Sequence, residues 1–174
     1  MVLSLFRKSV APGPVYDVYA ALVAQSRQPR FYAEWGVPDT VTGRFDMISL
    51  HLALLFRRLR AEKGAKVFSQ ALFDLFFLDM DRSLREMGAG DLAVPKKIRN
   101  MGNLFYGLLA SLDTALTSGN PEAIAAVLAR NVYAATPDQP ARPLADYLIG
   151  EAARLESLPA QRILAGELDQ GVAA

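Results

Sequence analysis

Two long stretches of this chain carry apolar residues at helical spacing on more than one side. Within residues 43–62, Phe45, Ile48, Leu52, Leu55, Phe56 and Leu59 fall on one face, and Met47, Leu50 and Leu54 occupy the other. Within residues 66–87, Phe73, Phe76, Phe77, Met80, Leu84 and Met87 form a broad stripe that Leu72, Leu75 and Leu78 extend. A helix apolar on two sides must be enclosed by neighbours, because covering one face leaves the other in water. The pattern therefore demands a multi-helix body with these two helices central and packed on each other. Composition agrees: 27 Ala and 25 Leu stand against 22 Val, Ile and Thr together. Ala and Leu lose little side-chain entropy in a helix, whereas β-branched residues are stiff there. The expected fold is all-α, a single compact domain of about six to seven helices around those two.

The flanking segments complete the plan. Pro12-Gly13-Pro14 closes an N-terminal arm, residues 1–13, and residues 14–170 form the helical domain. A first helix carries Val15, Val18, Tyr19, Leu22 and Val23 and stops at Gln28-Pro29. Residues 31–40 are rich in aromatics, Gly and Pro and read as an irregular loop. Gly88 suits a helix C′ position, and Pro95 the first position of a helix reaching to about residue 117. Asn120-Pro121-Glu122 supplies a cap, an N1 proline and a first-turn acid for the next helix, which ends near Tyr133. Residues 136–143 hold three prolines and read as a loop, followed by helices over residues 144–156 and 160–168.

Catalytic equipment is sparse. Cysteine is absent and His51 is the only histidine, so thiolate sites and multi-histidine metal centres lose their parts. A net charge of +1 argues against generic nucleic-acid binding. The longest uncharged run, residues 100–112, is too short to span a bilayer, which takes about 20 apolar residues. No P-loop, Gly-x-Ser-x-Gly or His-Glu-x-x-His motif is present. The expectation is no enzyme, no cofactor, no metal and a soluble, monomeric, cytoplasmic protein. Leu3, Leu5, Phe6, Arg7 and Lys8 offer the arm for peripheral membrane contact, with fraying the favoured alternative.

Four features remain as candidates. Asp74, Asp79, Asp81 and Glu86 share a helix with Arg82 and Arg85, in strips suited to a metal or to local ion pairing, and pairing is favoured. His51 reads as a partly buried histidine with one hydrogen-bond partner rather than as a ligand. Lys96, Lys97 and Arg99 sit in the first turns of their helix, where cations oppose the dipole. That placement fits a basic patch for an anionic partner, or a solvated face paired with Asp91. Phe31, Tyr32 and Trp35 fit either binding anchors or plugs on the core, with the plug favoured.

Long ordered motifs carry a resemblance. Residues 31–46 (FYAEWGVPDTVTGRFD), residues 68–88 (FSQALFDLFFLDMDRSLREMG) and Gly90-Asp91-Leu92-Ala93-Val94-Pro95-Lys96-Lys97 resemble the ubiquinol–cytochrome c chaperone family. The match continues through Met101 and Phe105-Tyr106-Gly107 and ends near Tyr133, so the family-matching core is residues 31–133. The resemblance implies an assembly chaperone that binds newly made cytochrome b or another component of the ubiquinol–cytochrome c reductase (bc1) complex. It also implies a small co-chaperone and a place near the ribosome, in mitochondria for the eukaryotic relatives. With no transit-type leader, this chain resembles a bacterial member, acting in the cytoplasm or peripherally at the inner membrane. The alternatives are a helical adaptor for a soluble partner and, further off, a lipid- or isoprenoid-handling enzyme. For the chaperone, Tyr32, Trp35, Asp81, Arg85, Glu86, Lys96, Lys97 and Arg99 are expected to border the client surface.

Overall fold

The computed structural model describes residues 12–168, so residues 1–11 of the expected 1–13 arm, with the Leu3–Lys8 segment, lie outside the described residues, and Pro12 and Gly13 belong to the first helix rather than to the arm. Those residues form eight helices: α1 Pro12–Ser26, α2 Pro29–Ala33, α3 Val41–Leu59, α4 Ala65–Glu86, α5 Val94–Ser118, α6 Pro121–Asn131, α7 Arg142–Ser157 and α8 Ala160–Leu164. They pack as one all-α body around α3, which touches α1, α4, α5 and α7. α6 bridges α5 and α7, and α8 closes on α1. From Met47 to Leu55 every residue of α3 is buried, as its two-sided apolar pattern requires.

α4 meets α3 through Phe76, whose ring stacks on Phe45 at 5.4 Å between centroids. It buries Phe68, Leu72, Phe76, Met80 and Leu84 along one face. Leu78, on the opposite side, is more than half exposed, so the outer side of α4 has no covering helix.

One expected loop is part helix. Pro29 starts α2, and the Glu34 and Trp35 amides both return to the Arg30 carbonyl. The short helix drives Phe31 fully into the core. α3 then begins at Thr40, whose hydroxyl accepts from the Gly43 amide at 3.1 Å. Gly43 has a second reason to be there: a Cβ on it would lie 1.9 Å from the Pro38 carbonyl oxygen. At the far end of α3, Arg58 donates to the Leu155 and Leu158 carbonyls at 3.0 and 2.9 Å, capping the end of α7. The Tyr19 hydroxyl ties α1 to α4 by donating to Asp79 at 2.8 Å.

Candidate functional site

The connection from α4 to α5 shapes a candidate site on the surface. α4 ends in a Schellman turn with Gly88 at φ 83°. The Ala89 amide bonds the Leu84 carbonyl and the Gly88 amide that of Arg85. The Ala93 and Val94 amides both bond the Gly90 carbonyl, so helical winding starts before Pro95 fixes the first turn of α5. Beside this turn the two helices stand apart and the first turn of α3 forms a third wall. The result is an open groove of about 650 Å³. Val41, Thr42 and Phe45 line it from α3, Leu84 and Met87 from α4, and Lys97, Asn100, Met101 and Leu104 from α5. Met87 is 53% and Leu104 52% exposed.

The charges around the groove are divided unevenly. Arg85 bridges Asp81 at 2.7 Å and Asp91 at 2.5 Å, which holds its guanidinium more firmly protonated than usual. Asp91 is thus occupied by α4 rather than by the cations that follow it. Lys96, Lys97 and Arg99 are exposed, and among the described residues none of them has an ion pair. No acid stands in the first turn of α5 to offset them. Arg82 and Glu86 are exposed, without the i, i+4 ion pair their spacing allows.

The remaining sequence candidates lie elsewhere. Tyr32 sits beside a shallow pocket with Arg27, Asp39 and Arg44, and its hydroxyl donates to the Ser26 carbonyl at 2.9 Å. Arg44 pairs with Asp39 at 2.8 Å, which lowers the carboxyl's pKa. The start of α3 separates this pocket from the groove: Val41 and Phe45 face one, Arg44 the other. Trp35 is a plug. Its ring lies 5.5 Å from Phe31 and 6.0 Å from Tyr147, and its carbonyl accepts from the Tyr133 hydroxyl at 2.9 Å. Burial raises the Tyr133 phenol to about 12.

Three of the four acids of α4 are engaged, Asp74 by Gln70 at 2.8 Å and Asp81 by Arg85 within the helix, and Asp79 by Tyr19 of α1. Among the described residues no group of three or more His, Asp or Glu side chains is placed to share a metal ion. His51 is more deeply buried and better partnered than expected. Its Nδ1–H donates to the Met47 carbonyl at 2.7 Å, which leaves Nε2 as acceptor for the Tyr147 hydroxyl at 2.8 Å. Gln25 in turn donates to that hydroxyl at 2.7 Å. Burial holds the imidazole below its ordinary pKa, so it is neutral. Asp46, mostly buried on α3, is pushed up to about 7 by the same cause.

Sequence reasoning missed the apolar floor of the site. Leu104 stands about 100° round α5 from Phe105, at the edge of the buried arc of that helix. An apolar residue that far from the buried centre line was the available signal.

The matching family model is that of the ubiquinol-cytochrome C chaperone, over residues 33–171. The chain belongs to this family. The ubiquinol-cytochrome C chaperone match runs past Tyr133, where the sequence resemblance ends, and takes in α7 and α8. A curated relative, ubiquinol-cytochrome-c reductase complex assembly factor 1 of Xenopus laevis, is 22% identical over 150 residues, 84% of this chain and 74% of its own length. A solved structure, the Cbp3 homolog from Brucella abortus, superposes with a TM-score of 0.84 at 37% identity, covering 98% of this chain and 96% of that one. Among the described residues no helix is long and apolar enough to cross a membrane.

Proposed function

We propose that this protein is an assembly chaperone that holds newly made cytochrome b, or another bc1 subunit, in the groove between α3, α4 and α5. The observation that carries the reading is the groove itself: an open apolar concavity with two half-exposed large side chains and charge on its rim. Apolar concavities of this kind take the apolar face of a partner helix, and a membrane subunit awaiting its partners offers such faces. Lys97 reaches the groove, the Asp81–Arg85–Asp91 network stands on the α4 side, and Glu86 lies beside Met87. Tyr32 and Trp35 would act at one remove, by fixing the segment that leads into α3. A cytoplasmic protein held peripherally at the membrane, with a small co-chaperone, fits the same role.

The test is capture of cytochrome b from detergent extracts by the purified chain. Leu104→Asp together with Met87→Asp should abolish capture while the thermal midpoint stays within about 2 °C, since both side chains are already half in water. Lys97→Glu should weaken capture. Undiminished capture by the Leu104/Met87 variant would remove the groove from the reading. Normal bc1 content in a strain lacking the gene would remove the function.

A further inference from the structure

A second surface follows from the geometry of α5 alone. The helical turn at Gly90 carries the winding back to Leu92, so Leu92, Lys96, Arg99, Asn103 and Tyr106 recur at i, i+4, i+7, i+11 and i+14. This is one straight stripe on the outer side of α5. Lys96 lies about 100° and Arg99 about 160° round the helix from Lys97, which faces the groove. All five residues are exposed: Leu92, in the turn that leads into α5, at 97%, and Tyr106 at 57%, with its ring leaning on Phe73 of α4 at 5.6 Å between centroids. Between Asp91 and Asp113 the sequence holds three basic residues and no acidic one. Asp91 is taken by Arg85, and Asp113 is taken by Arg57 and Arg60. The cations of the stripe have no ion-pair partner among the described residues, and they stand at the helix end where the dipole disfavours them.

We propose that this stripe is a contact surface for an anionic lipid bilayer. Its chemistry is that of an interfacial helix: a leucine projecting at one end and cations next to it, on an outward face that runs about 16 Å from Leu92 to Asn103 before Tyr106 turns toward α4. A nearly fully exposed leucine on a straight stripe suits a bilayer, which takes in a projecting side chain without a matching pocket. A protein partner would need a concavity complementary to it. The unpaired cations match the negative headgroups and are worth about fivefold in membrane partitioning each. Lying on this face would leave the groove open to the side, beside the membrane in which a bc1 subunit is inserted. The proposal does not depend on the groove holding a client.

The experiment is sedimentation of the full chain with vesicles of phosphatidylcholine containing about one-third phosphatidylglycerol, and with vesicles of phosphatidylcholine alone. The chain should sediment with the anionic vesicles only, and less as salt is raised. Lys96→Gln with Arg99→Gln should weaken this about 30-fold, and Leu92→Ser should weaken it further. The Leu104/Met87 groove variant should bind vesicles as the parent does. Circular dichroism checks that each variant is folded. Equal vesicle binding by parent and lysine–arginine variant would overturn the assignment. So would absence of binding by the parent, or loss of a soluble acidic protein partner in its place.

Discussion

Replacing Tyr147 with Phe removes one oxygen and little else. The ring keeps its edge-on contact with Phe31, at 4.9 Å, and its place 6.0 Å from Trp35. The hydroxyl that donates to His51 Nε2 and accepts from Gln25 is gone. His51 is 1% exposed, so no water reaches the orphaned acceptor. Leaving such a group unsatisfied costs about 1–3 kcal/mol, and the half-buried Gln25 adds a smaller loss because it can turn to solvent. The expected destabilisation is roughly 2–3 kcal/mol, a fall in thermal midpoint of about 4–12 °C for a chain of this length. Urea unfolding followed by far-ultraviolet circular dichroism at pH 7 measures it. In a His51→Leu background the acceptor no longer exists, so the same tyrosine change should cost about 1 kcal/mol or less. A cost within about 0.5 kcal/mol of zero, or an equal cost in both backgrounds, would refute the assigned donor and acceptor roles.

Two further outcomes follow from packing and burial. Gly43→Ala should destabilise by about 2–3 kcal/mol in urea unfolding, because its Cβ meets the Pro38 carbonyl, although helix propensity alone would favour alanine by about 1 kcal/mol. Burial moves Asp46 and His51 in directions that oppose each other in the pH profile. Asp46, about 7 when folded and near its ordinary value of 3.8 when unfolded, lowers stability above pH 3.8 and reaches its full cost above pH 7. Asp46→Asn should therefore raise stability at pH 8 by roughly 1–3 kcal/mol and lose that gain below about pH 4. His51, held below its ordinary 6.5, contributes stability that is complete above pH 6.5 and declines as acid protonates the unfolded chain first. Thermal midpoints of the Asp46→Asn protein should thus fall steadily from pH 7 to pH 5, where those of the parent are flatter.

Helix positions were legible in the sequence where an end falls on a residue with a local reason to be there. Asn120, Gly88 and Gly119 act as the caps their chemistry suggests, whereas Thr40, read as loop, turns out to cap α3. α2 was not legible: Gly36 and Pro38 dominate the composition of its segment, while its formation rests on Phe31 being drawn into the core. For the site, the unusual cations of α5 were visible, since their conflict with the helix dipole is local. The groove was not, because it depends on how far α4 and α5 part, a tertiary quantity. Which residue satisfies Asp91 was equally hidden. Lys96, Lys97 and Arg85 were all within sequence reach, and only the packed turn selects Arg85.

The chain Gln25–Tyr147–His51 joins α1, α3 and α7, whose members stand 122 and 96 residues apart in sequence. A ribosome releases α1 and α3 long before α7, so throughout synthesis the imidazole of the central helix lacks its tyrosine. Arg58 is in the same position, since the carbonyls it caps belong to the end of α7 and the residue after it. The groove walls, by contrast, are complete once α5 is made. The half of the molecule that carries the groove is thus assembled from nearby segments, and the lock on its central helix closes only with the last part of the chain, through contacts of high sequence separation.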